Sequence, residues 1–427
     1  MTIYTFDQAS QADANAFTTG DFLHFASGLP TDLTASYEFG SALTADRITL
    51  TLAGKSLTFN ADALQQGDAI DFRTDGVSRG SIMLLGPQAD SVSVFSATNK
   101  AIWTFGGDDH VVIAGAGTIH LHTGAGNDSI DVDNVVLPGG ALGQTGRFLI
   151  DAGDGDDLIA LHMANGPTDA WGGGGNDTIE GSAGNDHLYG NAADAIAGAV
   201  DGADSIDAGA GNDYVHANGG DDLVNGGDGN DRLYGGQGED VIYGGQGNDW
   251  VQGNKGADLL SGNAGNDTIH GGTDDDMLSG GSGNDRLFGD NGNDNLTGGA
   301  GIDTMMGGAG LDLFRFKDAE AAFDPHDTAG AVDRIEDFTI GVDHIGLNFA
   351  VATVIVDPAP LAFSTMGAAA AHAEMLMAGH AGNHEVVAVA VGGDTLLFYG
   401  HDGGEAVDSA VRLAGIDYRT VGLDCFS

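Results

Sequence analysis

From Gly172 to Arg315 the apolar residues keep one interval. Divided into nonapeptides from Gly172, this stretch makes sixteen consecutive units, such as Gly226-Gly-Asp-Gly-Asn-Asp-Arg-Leu-Tyr234 and Gly280-Gly-Ser-Gly-Asn-Asp-Arg-Leu-Phe288. The eighth residue is apolar in all sixteen, running Ile179, Leu188, Ala197, Ile206, Val215 and onward to Met305 and Phe314. The seventh and ninth are mixed, with Arg232, Tyr234, His270 and Arg286 among them. Such alternation predicts a short strand whose eighth residue faces inward and whose neighbours face solvent. The six residues ahead of it are rich in Gly, Asn and Asp, which tolerate positive φ and so predict a turn. A strand of three residues buries no face alone, so the units must stack, two per coil, with like strands on the same side. At ~4.8 Å between parallel strands the stack is roughly 38 Å long.

The pattern loosens on both sides. Apolar centres at Ile82, Val92, Ile102, Val111 and Ile130 predict a solenoid that begins near residue 80, with Asn134–Arg147 and Leu161–Trp171 as loops. Looser units lie at Thr104–Val112, Thr123–Asp131 and Ala152–Ala160. Before residue 80, alternating stretches at Phe22–Phe25, Arg47–Leu52 and Ser56–Phe59 predict a small antiparallel module. After Arg315 come strand-like stretches at Asp333–Phe338, Gly341–Leu347, Asp394–Phe398 and Val411–Ile416, with one helix over Ala368–Met377. The expected fold is all-β: a parallel β-roll at 172–316, degenerate coils at 81–171, an N-terminal β module at 1–80 and a C-terminal β cap at 317–427.

Composition changes the picture by supplying a cation. The 427 residues hold 63 acidic and 14 basic side chains, a formal charge of −49. That charge repels nucleic acid and anionic lipid and attracts cations. The repeat block holds 25 Asp and Glu against 4 Lys and Arg, and the acid recurs at a fixed place. The sixth residue is Asp in 15 of 16 units, the exception being Ala195. These are Asp177, Asp186, Asp204, Asp213, Asp222, Asp231, Asp240, Asp249, Asp258, Asp267, Asp276, Asp285, Asp294, Asp303 and Asp312. An isolated Asp there reads as an Asx-turn; a column of them on both edges of a stack reads as ligands. Stacking crowds these carboxylates, the apolar stripe is thin, and hard divalent ions with oxygen ligands answer both problems. Cys425 is the single cysteine, so no intramolecular disulfide staples the fold. No run of about 18 apolar residues predicts a membrane-spanning helix. The first residues, Met1 to Gln8, lack the basic and apolar regions of a cleaved Sec-type signal.

The block resembles the repeats-in-toxin (RTX) nonapeptide, Gly-Gly-x-Gly-x-Asp-x-apolar-x, whose calcium binding is a known property of such repeats. The resemblance implies an ion between successive coils. One ion would take the carbonyls of Gly227, Gly229, Gly244 and Gln246 with the carboxylates of Asp231 and Asp249. Asp pairs eighteen residues apart, from Asp186/Asp204 and Asp213/Asp231 to Asp294/Asp312, then predict about twelve calcium ions of octahedral oxygen ligation. Asp109, Asp128 and Asp157 are further candidate ligands upstream. The order of strands after Arg315, ending Asp424-Cys425-Phe426-Ser427, resembles the C-terminal domain of serralysin-type exported proteins. That resemblance implies a cap on the roll and export by a type I secretion transporter.

Other motifs carry less. Gly76-Val77-Ser78-Arg79-Gly80 has the letters of a nucleophile elbow, but a strand-like Ser81–Leu85 follows where a helix is needed. His384-Glu385 opens a zinc-protease signature that Ala388 does not complete. Asp324-Pro325-His326-Asp327 is similar to the catalytic segment of alginate epimerases, yet it follows the repeats instead of preceding them and reads as a loop. His120 and His122 read as a surface pair, and Thr273 is the one Thr at the third position, so no threonine ladder suggests ice binding. No catalytic residue is assigned. The leading reading is a secreted, non-enzymatic calcium-binding structural or surface protein that folds on calcium and self-assembles. Beside it stand an adhesin with a cell-surface partner bound through residues 1–100, and a secreted enzyme with a catalytic module there.

Overall fold

The computed structural model describes residues 3–5, 22–24, 34–38, 47–52, 55–60, 69–74, 77–84, 89–95, 99–104, 106–114, 119–133, 148–162, 167–191, 201–316, 332–347, 351, 353–356, 363, 366–378, 385–391, 393–399 and 409–426. Ala195, Ala197 and the Asp324–Asp327 segment lie outside these residues, as do His384 and Asn134–Arg147. The chain divides into two compact units, Met1–Asn218 and Gly219–Ser427.

In the first unit, Thr34–Glu38, Arg47–Leu52 and Lys55–Asn60 form an antiparallel sheet. Ala69–Thr74 and Val77–Leu84 pair as an antiparallel hairpin. Val77–Leu84 also pairs in parallel with Asn99–Trp103, so the change from hairpin to parallel coil occurs within this strand. The strand expected from Ser81 begins earlier, at Val77, so no helix follows these letters of a nucleophile elbow. From there, alternate strands belong to two parallel sheets. One holds Ser91–Phe95, His110–Ala114, Ser129–Asp133, Leu158–Ala160, Thr178–Ser182 and Ser205–Gly209. The other holds Asn99–Trp103, Ile119–Ala125, Phe148–Asp154, Thr168–Gly174, His187–Tyr189 and Tyr214–Gly219. Thr168–Trp171, read from sequence as part of a loop, is therefore a strand. Its lack of the repeat motif hid it, while burial of Ala170 between Ile150 and Leu188 holds it in register.

The second unit repeats this plan with greater regularity. Leu223–Asp228 pairs with Val241–Gln246, and the ladder continues every eighteen residues to Leu313–Phe316 and then His344–Leu347. The facing ladder runs from Arg232–Gln237 to Thr304–Ala309 and then Asp333–Ile335. The eighth-position residues Val224, Leu233, Ile242, Val251, Leu260 and Ile269 have no exposed surface. The strands are longer than the three residues expected. Arg232–Gln237 spans six, because Gly236 and Gln237 stay in the ladder, pairing with Asn254 and Lys255. Gly236, at φ +130°, turns the chain while remaining paired, which side-chain-bearing residues rarely manage. No outward seventh or ninth residue from Leu223 to Arg315 is acidic, so the negative charge of this stretch sits in the turns.

The chain then leaves the repeat. Asp333–Ile335 also pairs with Ser409–Leu413, which is antiparallel to Asp394–Tyr399, itself antiparallel to Glu385–Val391. The helix Met366–Met377 packs Ala369, Ala370, Ala373 and Met377 on Val387, Val389 and Phe398. Its small alanines allow that close approach to the sheet. Glu385 opens a strand, so the zinc-protease fragment has no helix on which to present ligands.

Candidate metal centres

Each coil turns through a sixth-position Asp, and those residues are joined along both edges of the stack. Asp249 Oδ1 accepts from the Asp231 N–H at 2.8 Å, Asp267 Oδ1 from Asp249 and Asp285 Oδ1 from Asp267. Asp303 continues the line, receiving the Asp285 N–H at 2.8 Å. On the opposite edge the same bond links Asp222, Asp240, Asp258, Asp276, Asp294 and Asp312 in turn. In the first unit it links Asp177 to Asp204 and Asp186 to Asp213. These two links span 27 residues instead of 18. The pair Asp186/Asp204 is therefore a correction: the two residues lie on different lines. The ladder runs from Thr178–Ser182 directly to Ser205–Gly209, although the nonapeptide frame places a further unit, around Ala195, between them.

Oδ1 is thus occupied, and in several of these residues Oδ2 is not. The Oδ2 atoms of Asp177, Asp240, Asp249, Asp258, Asp267, Asp276, Asp285, Asp294 and Asp312 are buried and accept no hydrogen bond. Each points toward the first glycine of its own unit. A Cβ on Gly244 would lie 2.6 Å from Asp249 Oδ2 and 2.7 Å from the Gly262 carbonyl oxygen. A Cβ on Gly226 would lie 2.6 Å from Asp231 Oδ2 and against the Gly244 carbonyl. Glycine keeps a small cradle open there, and two electron-rich oxygens look into it. Buried acceptors without donors are rare, because desolvation goes uncompensated. An oxygen-seeking cation supplies the compensation, so the donor chemistry fits calcium. Among the described residues no three His, Cys, Asp or Glu side chains converge on one point, so backbone carbonyls face these cradles beside single carboxylates.

Of the six oxygens expected around one ion, Asp231 Oδ2 and the Gly244 carbonyl share a cradle. Asp249 gives Oδ1 to the Asp231 N–H and turns Oδ2 to the next cradle. The Gln246 carbonyl accepts from the Gly229 N–H at 2.7 Å, while the carbonyls of Gly227 and Gly229 point at Gly245 and Gly247.

Burial governs the charge of the column. Desolvation pushes Asp249, Asp258 and Asp285 up to about 7 and Asp276 to about 8, against the pull of their backbone N–H donors. In the absence of a cation these groups hold protons near neutrality.

Upstream, the line reaches further than the motif. The Asp90 N–H donates to Asp109 Oδ1, Asp109 to Asp128, Asp128 to Asp157 and Asp157 to Asp177. Downstream, Asp303 donates to Asp333 Oδ1 at 2.9 Å and Asp312 to Asp343 Oδ1 at 3.2 Å. Asp90, Asp333 and Asp343 escape the nonapeptide frame. The signal they carry is local: each begins Asp-x-apolar, as Asp90-Ser-Val92, Asp333-Arg-Ile335 and Asp343-His-Ile345, like every repeat Asp. The cradles there are altered. Thr104 and Thr123 stand where the repeats have their first glycine. The Thr104 hydroxyl donates to the Thr123 carbonyl at 2.8 Å, and the Thr123 hydroxyl to the Ala152 carbonyl at 2.7 Å. At Asp186, Ser182 fills a related role, giving its amide and hydroxyl to Oδ2 at 2.9 and 2.7 Å.

His120 and His122 lie on the Ile119–Ala125 strand, and His122 Nδ1 sits 2.8 Å from Asp151 Oδ2.

The model of the RTX calcium-binding nonapeptide repeat matches residues 171–194, 199–233, 216–251, 225–260, 243–278, 252–287 and 279–314. No curated protein matches the chain. Among solved structures, the AlgE6R3 subunit of the Azotobacter vinelandii mannuronan C5-epimerase is 30% identical, over 40% of this chain and 80% of that one, with a TM-score of 0.26. The AlgE6R2 subunit of that enzyme is 21% identical over 44% and 89%, with a TM-score of 0.24. A hyperactive, Ca2+-dependent, β-helical antifreeze protein from an Antarctic bacterium is 19% identical over 63% and 77%, with a TM-score of 0.21. Residues 171–194 and 199–314 are RTX calcium-binding nonapeptide repeats, and the chain is a calcium-binding RTX-repeat protein with a β-roll fold.

Proposed function

We propose that this protein is an extracellular structural scaffold whose β-roll folds when it meets calcium outside the cell. The observation that carries the reading is the set of buried Oδ2 oxygens, those of Asp240, Asp249, Asp258, Asp267, Asp276, Asp285, Asp294 and Asp312, that accept no hydrogen bond. Unfolded, the same carboxylates are hydrated; folded without a cation, they are desolvated and crowded. Calcium binds the folded form alone and draws the equilibrium to it by mass action. The ligands are the sixth-position Asp of each glycine-cradled unit and the carbonyls that face it. For one ion these include Asp231, Gly244 and Asp249, with Gly227, Gly229 and Gln246 as the further oxygens implied by the repeat. The expected number in the block is about twelve.

Export through a type I transporter suits this chemistry, since an acidic chain that stays unfolded in low calcium can be threaded. The strands and helix after Arg315 then serve as the cap on the roll and as the secretion domain. An outward apolar column supports association with a surface or with further copies: Leu223, Leu259 and Met277 are 47%, 41% and 53% exposed on one sheet. The test is a calcium titration of the chelated full chain, followed by far-UV circular dichroism and light scattering. The proposal expects a β-rich spectrum to appear with calcium, followed by association. An equal β spectrum in chelator overturns calcium-driven folding, and a monomer at every calcium concentration overturns assembly.

A further inference from the structure

Asp186 differs from the other sixth-position carboxylates in being satisfied on both oxygens. Its Oδ1 accepts from the Thr168 N–H at 2.9 Å. Its Oδ2 accepts from the Ser182 N–H at 2.9 Å and from the Ser182 hydroxyl at 2.7 Å. Asp186 is fully buried, and these three donors replace the water it gives up. Asp177, Asp240 and Asp249 are buried too, and each accepts a backbone N–H on Oδ1, yet their Oδ2 atoms accept no bond.

The difference begins at the second position of the unit. Gly173, Gly227, Gly236 and Gly245 hold that position at positive φ. Where it is not glycine, Asn218, Asn254, Asn263 and Asp290 still take φ between +71° and +84°. Asn and Asp enter that left-handed region more readily than other side-chain-bearing residues. Ser182, at the same position, does not enter it. Its N–H points at Asp186 Oδ2, whereas the Gly173 N–H goes to the Gly190 carbonyl of the next coil. The first glycine changes with it. A Cβ on Gly172, Gly235 or Gly253 would meet the carboxylate of its own unit, but a Cβ on Gly181 would meet the Ala208 backbone.

We propose that the coil turning through Asp186 is closed by protein donors and holds no calcium there, so that Asp186 is a structural carboxylate and not a ligand. Ser182 closes it in two ways, by its hydroxyl and by a backbone outside the left-handed region. A cation at Asp186 Oδ2 would displace an amide and a hydroxyl and leave two buried donors unpaired. At Asp240 and Asp249 it displaces no protein donor from Oδ2. Asp343 shows a similar arrangement, its Oδ2 accepting from the Thr339 N–H at 2.7 Å, again from four residues upstream.

This inference rests on calcium binding by the other coils, and one measurement separates the two. Native mass spectrometry counts the ions on the calcium-saturated full chain after passage over a chelating resin. Asp186→Asn is expected to carry as many ions as the parent, and Asp249→Asn fewer. Ser182→Gly removes the hydroxyl and restores access to positive φ, so it should carry one ion more than the parent. A loss of ions in Asp186→Asn makes Asp186 a ligand and overturns the inference, while calcium binding by the roll stands. An unchanged count in Ser182→Gly overturns the assignment of Ser182 as the closing residue. If Asp249→Asn and the parent carry equal numbers, the calcium reading of the repeat fails and this inference falls with it.

Discussion

Acid should fold the repeat block in the absence of calcium. In the folded chain burial raises Asp249 from 3.8 to about 7, and Asp258, Asp276 and Asp285 behave alike. Unfolded, these carboxyls titrate near 4, so the folded form binds the extra protons. The stabilisation is therefore complete below pH ~4 and is lost as the pH climbs through the folded values near 7. A rise of three units in one group is on the order of 4 kcal/mol between the two ends of that window. Several Asp share the effect, so the transition should draw several protons and be steep. The assay is far-UV circular dichroism of chelated protein stepped from about pH 8 to about pH 5. That range stays above the isoelectric point near 4.1, where a chain of no net charge would precipitate. A β-rich spectrum is expected at the acid end. Asp267→Asn sharpens the test, because an amide mimics the protonated acid and needs no proton. Its acid midpoint should move toward neutrality while its calcium requirement rises. A chelated protein still unfolded at about pH 5, or a midpoint that Asp267→Asn moves to lower pH, would refute the reasoning.

Three further outcomes are expected. Gly244→Ala places a methyl 2.6 Å from Asp249 Oδ2, so it should raise the calcium midpoint of folding and cost about 1–3 kcal/mol in saturating calcium, measured by urea denaturation. Leu260→Ala should cost about 2–5 kcal/mol under the same conditions, since Leu260 has no exposed surface and the stacked coils leave the cavity little room to collapse. Asp249→Ala removes an oxygen from the Asp231 N–H and another from the Gly244 cradle, and equilibrium dialysis should find more than one calcium ion lost.

Much of this was legible in the sequence because one residue in nine carries the core. Leu233, Val251 and Leu260 could be assigned inward from period alone, and each is buried. Strand length was harder. Gly236 and Gln237 have turn composition, yet they remain paired, because glycine at positive φ can bend the chain and keep its ladder bonds. The pairing of Asp186 with Asp204 was misread for the opposite reason: the frame places a further unit between Asp177 and Asp204, and spacing alone cannot show that Asp177 bonds to Asp204 directly. Asp90, Asp333 and Asp343 were hidden by the loss of the glycines around them, although Asp-x-apolar persists at all three. The division of Asp249 between two neighbours was not readable at all. A spacing gives the distance along the stack, not which of two carboxylate oxygens faces up and which faces down.

A coil that borrows a carboxylate from the coil after it has no natural length. Every added unit satisfies its predecessor and creates the same demand one step on, so growth by whole repeats leaves the molecule neither better nor worse finished. Termination has to be written separately. Here the last borrowings, by Asp303 and Asp312, reach across 30 and 31 residues to Asp333, which opens a strand paired with Ser409–Leu413, and to Asp343, just ahead of the His344–Leu347 strand. The ending is thus spelled by distance and a familiar letter, with no dedicated residue type. Eighteen-residue duplications or deletions inside the block could then change its length freely while the same two aspartates still close it.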